Sequence, residues 1–313
     1  MLKRSEIYLG QWLGDYLAKV QGAMVEPEAE AATTVARKPD IAFEYNYKGL
    51  YHNQVFKHVY LSGLPWLAEH LVDINDFLGE YMFEPFSWHY FCSATPYPHG
   101  EISPLRMVTA LACDERERSS YIRHRTKLYG GGREEGEPMI DAVLYRQFVE
   151  VADAHLLTAA PKPLSAKVRD LWPKENRFAA VQRCADKIIR KLDGLEWHGP
   201  AEQQSYVTVC QCEYAGMFMM LGEAALYDVG KELLVAQVED PQTRQAILET
   251  YSMTPLFVAR DGHKVLFHRD KFTLKSWFVE LGDYLIFRYR MEAGDPGVRC
   301  LSGVEIYARG RGE

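Results

Sequence analysis

The sequence has no apolar run long enough to cross a bilayer, which takes about 20 residues. Its most apolar run, residues 215–226, is short and is interrupted by Gly216, Gly222 and Glu223. Residues 1–12 mix charged and apolar side chains and have none of the continuous apolar stretch of a secretory signal. We therefore expect a soluble chain that is neither exported nor inserted into a membrane.

Cysteine is sparse, and its spacing matches neither a disulfide framework nor a zinc site. The six cysteines are Cys92, Cys113, Cys184, Cys210, Cys212 and Cys300. Two of them, Cys210 and Cys212, alternate along a predicted strand, whereas zinc knuckles need pairs two residues apart and a second pair elsewhere. This usage indicates reduced thiols in a cytoplasmic protein, and we expect neither a metal nor a cofactor.

Short catalytic and phosphate-binding motifs are also missing from the sequence. It contains neither of the two glycine-rich phosphate loops, and no Gly-x-Ser-x-Gly nucleophile elbow. The lack of a recognisable catalytic motif argues against an enzyme. If the chain is an enzyme, the side chains to consider are His89, His99 and Glu101, in a proline- and aromatic-rich region where a pocket can form.

What is present is the composition of a folded protein with many aromatic residues. The chain has 313 residues, of which 47% are hydrophobic, 25% charged and 12% aromatic, with 19 tyrosines. This length suits two domains. The aromatic residues fit either a tyrosine-rich β core or a large protein interface. The net charge of −7 argues against a surface that coats nucleic acid or an anionic membrane.

Hydrophobic periodicity predicts an α+β fold. Residues 5–20, 65–78, 138–157, 175–192 and 241–250 are predicted helices. Alternation predicts strands at 89–94, 205–214, 256–259, 263–267, 273–281, 283–291 and 298–308, with Asp261-Gly262 as a hairpin turn. We therefore expect a helix-rich N-terminal and central part with some strands, followed by a mainly antiparallel β-meander, sandwich- or barrel-like, in the C-terminal third. No segment repeats at a fixed period.

The predicted domains are 1–198, a mixed and helix-rich region, and 199–313, an antiparallel β-rich domain. Within the first, residues 26–40 are rich in Ala, Glu, Thr and Pro and are predicted to form an exposed linker or arm.

Basic residues cluster in two places, around 123–133 and along the predicted helix at 183–191. They are the candidates for nucleic-acid or anion binding: Arg123, Arg125, Lys127, Arg133, Arg183, Lys187, Arg190 and Lys191. Spacings of three and four put the last four on one side of a helix, where they can follow a phosphate backbone. The same residues also suit a solvated surface.

Three hypotheses for function follow. The first is a structural or assembly subunit of a homo-oligomer or larger particle, such as a virion or phage neck component. It would act through protein–protein interfaces, by self-association or with other subunits. The alternative is a nucleic-acid-binding subunit that uses the two basic clusters. The second alternative is an enzyme with a dispersed active site.

Overall fold

The computed structural model describes residues 4–25, 33–37, 45–46, 49–50, 89–93, 105–129, 138, 140–147, 149–153, 158–206, 231–236, 238–251, 255–262, 271–293 and 297–310. The helices within these ranges are α1 (Arg4–Val25), α2 (Ala166–Leu171), α3 (Phe178–Leu192), α4 (Lys231–Ala236) and α5 (Pro241–Thr250). The strands before α3 are β1 (Thr33–Arg37), β2 (Tyr45–Asn46), β3 (Gly49–Leu50), β4 (His89–Ser93), β5 (Leu105–Asp114), β6 (Tyr121–Tyr129), β7 (Ile140–Gln147), β8 (Val149–Asp153), β9 (Thr158–Pro161) and β10 (Lys174–Glu175). Those after it are β11 (His198–Tyr206), β12 (Phe257–Gly262), β13 (Lys271–Leu281), β14 (Tyr284–Ala293) and β15 (Val298–Ala308).

One sheet of eleven strands runs through the protein in the order β1-β5-β6-β7-β4-β12-β15-β14-β13-β11, and β10 pairs with β5 beside this path. All pairs along the path are antiparallel. From the central β4–β12 pair outward, the two halves have the same order: within each half the second strand in the chain is central and the first is outermost. The five-strand arrangement therefore occurs twice in the sheet, although no repeat is visible in the sequence.

Helices α1 and α3 pack together on one face of the sheet. Leu13, Leu17 and Val20 of α1 are buried against the apolar stripe of α3 and against strands from both halves. The stripe of α3 consists of Phe178, Val181, Ala185, Ile188 and Leu192, which recur every three or four residues. This period is clear in the sequence, and the helices predicted at 5–20 and 175–192 are both present.

A second core lies on the opposite face of the second half, where α4 and α5 cover β13, β14 and β15. Asp240 caps α5 because its carboxylate accepts hydrogen bonds from the backbone N–H groups of Gln242 and Thr243. This helix has the predicted bounds, 241–250. The strands predicted at 273–281, 283–291 and 298–308 are also present, as β13, β14 and β15.

The predicted helix-rich character of the N-terminal and central part is wrong. Residues 138–157 were expected to be helical, but β7 and β8 lie there. Residues 140–145 are all buried, so β7 is covered on both faces and does not alternate. Its apolar residues therefore fit the period of a helix as well as a buried strand. Only length and burial context distinguish a helix from a strand here.

The segment 26–40, predicted to be an exposed linker or arm, includes β1, which pairs with β5, and its exposure stays a prediction. The hairpin turn predicted at 261–262 is wrong. Asp261-Gly262 does not turn the chain: both residues continue β12 and pair with Ser302 and Leu301 of β15. The helix predicted at 65–78 lies outside the described residues. The predicted domain boundary after residue 198 lies at the start of β11.

Candidate functional site

A cleft of about 480 Å³ lies where the C-terminal end of α3 meets the second half of the sheet. Its lining comes from α3, the start of β11, and the four strands β12 to β15. The lining residues are Ile189, Trp197, Gly199, Ala259, Arg260, Asp261, Trp277, Arg288, Tyr289, Arg290, Arg299, Ser302, Gly303 and Val304. Three of these, Arg288, Arg290 and Arg299, are arginines with exposed side chains, and Asp261 is the one acid.

Strand alternation presents two of the arginines. Along β14, Arg288 and Arg290 are exposed, whereas Phe287, Tyr289 and Met291 are buried in the core on the opposite face.

An irregularity in β15 presents the third arginine. The β14–β15 register shifts after Met291, so that Glu292 lies opposite Arg299 and Cys300 is buried with Leu301. Bulges of this kind re-aim side chains, and here Arg299 is exposed at the cleft while Cys300 packs inside.

Acidic residues at the rim neutralise only part of this charge. Arg288 pairs with Asp193 at 2.9 Å, and both side chains are about half exposed, at 44% and 51%. Glu292 accepts from both Arg290 at 2.6 Å and Lys275 at 3.2 Å. Lys275 also has Glu202 within 4.0 Å. Among the described residues, the side chain of Arg299 has neither an ion pair nor a hydrogen bond.

Tryptophans form the apolar wall of the cleft. Gly199 packs tightly against Trp277, since a Cβ at Gly199 would lie 3.3 Å from the indole ring and 2.8 Å from the Ser276 carbonyl oxygen. Gly199 also has a φ of 118°, which favours glycine. Trp197 is half-buried, and its indole Nε1–H is buried without an acceptor in the described part of the chain.

At the other end of the cleft, a carboxylate lies beside a hydroxyl. Asp261 of β12 and Ser302 of β15 are register partners, so both side chains leave the same face of the sheet. This end lies near the junction of the two halves, because the charge of Asp261 is close enough to raise the pKa of Tyr121 in β6. Burial is the main cause that raises the pKa of Tyr121 to about 12, and the charges of Asp261 and Asp186 add to it.

A buried ionic cluster supports the floor of the cleft. Arg260 and Glu305 form an ion pair at 2.8 Å, and their side chains are 1% and 0% exposed. The hydroxyls of Tyr289 and Tyr307 donate to the two oxygens of Glu305. Gly303 makes room for this arrangement, because a Cβ there would overlap the ring of Tyr289. Burial raises the pKa of Tyr289 well above its ordinary value, so this hydroxyl stays protonated and can donate.

The predicted basic cluster at 123–133 lies in the first half of the sheet, on β6. Arg123 is 1% exposed and pairs with Glu175 at 3.0 Å. Arg125 is buried and holds Asp141 with two hydrogen bonds, of 2.9 and 2.6 Å. Lys127 is half-buried, and Arg133 lies outside the described residues. The two arginines are internal ion-pair partners and present no surface to an anion.

The second basic cluster is on the surface of α3. Arg183, Lys187, Arg190 and Lys191 are all exposed. Two of them cover aromatic rings of α1: Lys187 lies 4.7 Å from the ring centre of Tyr16, and Lys191 lies 5.8 Å from that of Trp12. Part of this row therefore holds α1 against α3.

The residues proposed for an enzyme are only partly described. His89 begins β4 and pairs with Arg260 of β12, whereas His99 and Glu101 lie outside the described ranges. Within those ranges, no three His, Cys, Asp or Glu side chains form a group suited to a metal. No helix in the described part of the chain is long and apolar enough to cross a membrane.

Sequence reasoning missed the residues of the cleft, which are Asp261, Arg288, Arg290, Arg299 and Ser302. One signal was available. Arg288-Tyr-Arg290 alternates basic and aromatic residues inside a predicted strand, which places two cations on one face. Nothing local indicated that Asp261 faces Ser302, because Asp261-Gly262 has the sequence of a turn.

Comparison of the fold with solved structures identifies its class. A Lactobacillus plantarum protein provisionally identified as an oleoyl thioesterase superposes with a TM-score of 0.64 at 7% identity, over 90% of this chain and 96% of that one. The 12:0-ACP thioesterase of Umbellularia californica gives 0.61 at 8% identity, over 89% and 94%. An acyl-ACP thioesterase of Bacteroides thetaiotaomicron gives 0.52 at 9% identity, over 88% and 97%. In sequence, the chain matches no protein-family model and no curated protein.

The fold is thus the hot-dog fold of these thioesterases, present twice in one chain. This finding corrects the first functional hypothesis. The chain shares its fold with enzymes over nine-tenths of its length, and this does not support a structural subunit of a virion or other particle. The virion and assembly assignment is therefore wrong, and the enzyme hypothesis fits better than either of the others.

Proposed function

We propose that this protein is an acyl-thioester hydrolase that acts on an acyl group carried by acyl carrier protein or coenzyme A. The observation that supports the proposal is the superposition of both halves of the sheet on acyl-ACP and oleoyl thioesterases. Because identity is below a tenth, the comparisons give the fold alone, and the residues of the site must supply the argument for the reaction.

The cleft in the second half of the sheet is the proposed active site. Asp261 is the only carboxylate among its described lining residues. As a general base, Asp261 takes a proton from a water molecule as the water oxygen bonds to the thioester carbonyl carbon. The tetrahedral intermediate then collapses, the carbon–sulfur bond breaks, and Asp261 returns the proton to the departing thiolate. The products are a carboxylic acid and a free thiol.

Ser302 and the tryptophans complete this arrangement. The Ser302 hydroxyl, next to Asp261 across the β12–β15 ladder, is the proposed donor to the carbonyl oxygen that becomes negative. Ile189, Trp197 and Trp277 provide apolar surface for the substrate. A cytoplasmic location and self-association stay predictions, and light scattering would measure the association.

The test is release of free thiol from dodecanoyl and oleoyl thioesters of coenzyme A and of acyl carrier protein. We expect hydrolysis by the wild-type chain. D261N removes the base and lowers kcat at least about 100-fold. D283N is the matched control, because Asp283 is exposed in the β13–β14 turn and should leave kcat unchanged. Absence of thiol release from every thioester would contradict the proposed reaction. Equal kcat for D261N and the wild type would place the chemistry outside the cleft.

A further inference from the structure

We infer that the exposed arginines of the cleft, Arg288, Arg290 and Arg299, bind a carboxylate at the far end of the acyl group, so that the substrate is a thioester of a short dicarboxylic acid. This inference rests on the proposed function, because it needs the thioester carbonyl to lie at Asp261. It adds the charge and the length of the acyl group, which the proposed reaction leaves open.

One row of side chains joins the proposed base to the arginines. Asp261 pairs in register with Ser302, and Ser302 pairs in register with Arg290. Direct register partners leave the same face of a sheet, so the three side chains form a row across β12, β15 and β14. Neighbouring strands are about 4.8 Å apart, so Asp261 and Arg290 are about 10 Å apart at the backbone. An anion held at Arg290 is therefore close to a carbonyl carbon at Asp261.

The other two arginines lie on either side of Arg290. Arg288 is two positions earlier on β14, so its side chain leaves the same face of the sheet. Arg299 is the register partner of Glu292, which is two positions after Arg290. All three arginines are exposed and line the cleft. Their guanidinium groups therefore surround one place at the end of the row.

The acids around these arginines leave them able to bind a further carboxylate. The pair between Arg288 and Asp193 is half exposed at both ends, and exposed pairs contribute little to stability. Glu292, the partner of Arg290, is shared with a lysine. The side chain of Arg299 has neither an ion pair nor a hydrogen bond among the described residues. A ligand carboxylate can therefore bind Arg299 and replace Asp193 at Arg288, through the paired contacts that guanidinium groups make with carboxylate oxygens.

The short distance selects a carboxylate on the acyl group over an anion on the carrier. When the thioester carbonyl lies at Asp261, the phosphate of a carrier is beyond the whole pantetheine arm, whereas the far carboxylate of a short dicarboxylic acyl group is only a few bonds away. Trp277 and Val304 are the register partners of Arg288, so the methylene groups of such a chain have apolar surface beside the cations. A neutral acyl group in the same place would take water from the guanidinium groups without replacing its hydrogen bonds, which is unfavourable.

The test compares three thioesters that share one carrier, coenzyme A, and differ only at the far end of the acyl group. The adipoyl ester ends in a carboxylate, the methyl adipoyl ester ends in the neutral methyl ester of that carboxylate, and the hexanoyl ester ends in a methyl group. We expect the wild type to have a kcat/KM about 10- to 100-fold higher for the adipoyl ester than for either neutral ester, the value of a charge-assisted hydrogen bond. Equal kcat/KM for the adipoyl and methyl adipoyl esters would overturn the inference.

The variants are R290Q and R299Q, with R118Q as the control, because Arg118 is exposed and lies outside the cleft. Each of the first two should reduce the preference for the adipoyl ester about tenfold, since each removes a charged partner of the carboxylate. R118Q should keep the preference of the wild type. If R290Q and R299Q lower kcat/KM by the same factor for all three esters, the arginines act on the carrier or on the fold, and the inference is wrong.

Calorimetry separates this inference from the proposed reaction. The probe is adipic acid monoamide, which has the far carboxylate and carries an amide in place of the thioester, and hexanamide is its neutral counterpart. We expect the wild type to bind the monoamide at least about tenfold more tightly than hexanamide, and R299Q to lose this difference. If the monoamide binds in this way but no thioester is cleaved, the reaction is wrong and the carboxylate site stands. If thioesters are cleaved without a preference for adipoyl, and the monoamide binds no more tightly than hexanamide, the site is wrong and the reaction stands.

Discussion

The two halves of the sheet use the same kind of strand in opposite ways. Strands β6 and β14 occupy equivalent places, each third from the centre of the sheet, and each carries alternating basic side chains. On β6, Arg123 and Arg125 are buried in ion pairs with Glu175 and Asp141. On β14, Arg288 and Arg290 are about half exposed and line a cleft.

The difference lies in the acids rather than in the arginines. Asp141 stands on the strand next to β6, and Glu175 arrives on β10, which pairs with the neighbouring β5. In the second half the acids, Asp193 and Glu292, are at the rim, and Glu292 is shared. A basic strand is therefore internal structure where buried acids neutralise it, and an exposed wall of a cleft where they do not.

The largest expected effect is on the free energy of unfolding, and it tests this contrast between the two halves. R125A leaves Asp141 buried without its partner, and breaking a buried pair in this way costs about 3–5 kcal/mol in the free energy of unfolding. R288A breaks an exposed pair with Asp193 and should cost less than about 1 kcal/mol. Urea denaturation of both variants gives the comparison. Similar losses for the two would show that the halves do not differ in this respect.

Much of the second half of the sheet is predictable from the sequence, and much of the first is not. Strands β13 to β15 alternate because their two faces differ, and Gly282 with its φ of 62° marks the turn between the first two. Strand β7 is buried throughout residues 140–145, so its apolar run does not show which period applies. Burial of both faces hides the strand in the first half.

The site is less predictable than the fold, because its residues meet only through pairing. Asp261 and Ser302 are 41 positions apart in the sequence and become neighbours in the β12–β15 ladder. Arg299 faces the cleft because of a register shift that no local pattern announces. Arg123 and Arg125 have the sequence of an anion site, and only the structure shows that Glu175 and Asp141 pair with them.

The second prediction concerns a buried histidine on the other face of the sheet. In the first half, His124 is fully buried and its Nε2 lies 3.0 Å from the Thr126 hydroxyl. Burial lowers the pKa of His124 to about 3, from the usual 6.5. The folded chain therefore keeps this histidine neutral, while the unfolded chain binds a proton below pH 6.5. Stability due to this group is complete above pH 6.5 and falls by about 1.4 kcal/mol per unit as the pH drops toward 3.

H124Q keeps an amide near Thr126 and removes the titration, so its free energy of unfolding should fall less steeply between pH 6.5 and 5 than that of the wild type. Urea denaturation at three pH values in this range measures both slopes. H198Q is the control, because His198 is exposed, and it should keep the wild-type slope. If H124Q and H198Q have the same slope, the buried histidine does not carry the acid sensitivity of the first half.

The smallest expected effect concerns α3, which bridges the two halves. Lys187 lies over the ring of Tyr16 in α1, whereas Arg183 is exposed on the same helix and contacts no aromatic ring among the described residues. K187A should therefore lower the free energy of unfolding by about 0.5–1 kcal/mol, the value of an exposed cation–π contact. R183A should change the free energy of unfolding less. Both substitutions to alanine change helix propensity by a similar amount, so the difference between the two variants measures the contact with Tyr16. If the two variants lose equal stability, Lys187 is a solvated charge like its neighbour, and the basic row of α3 does not fasten α1 to the sheet.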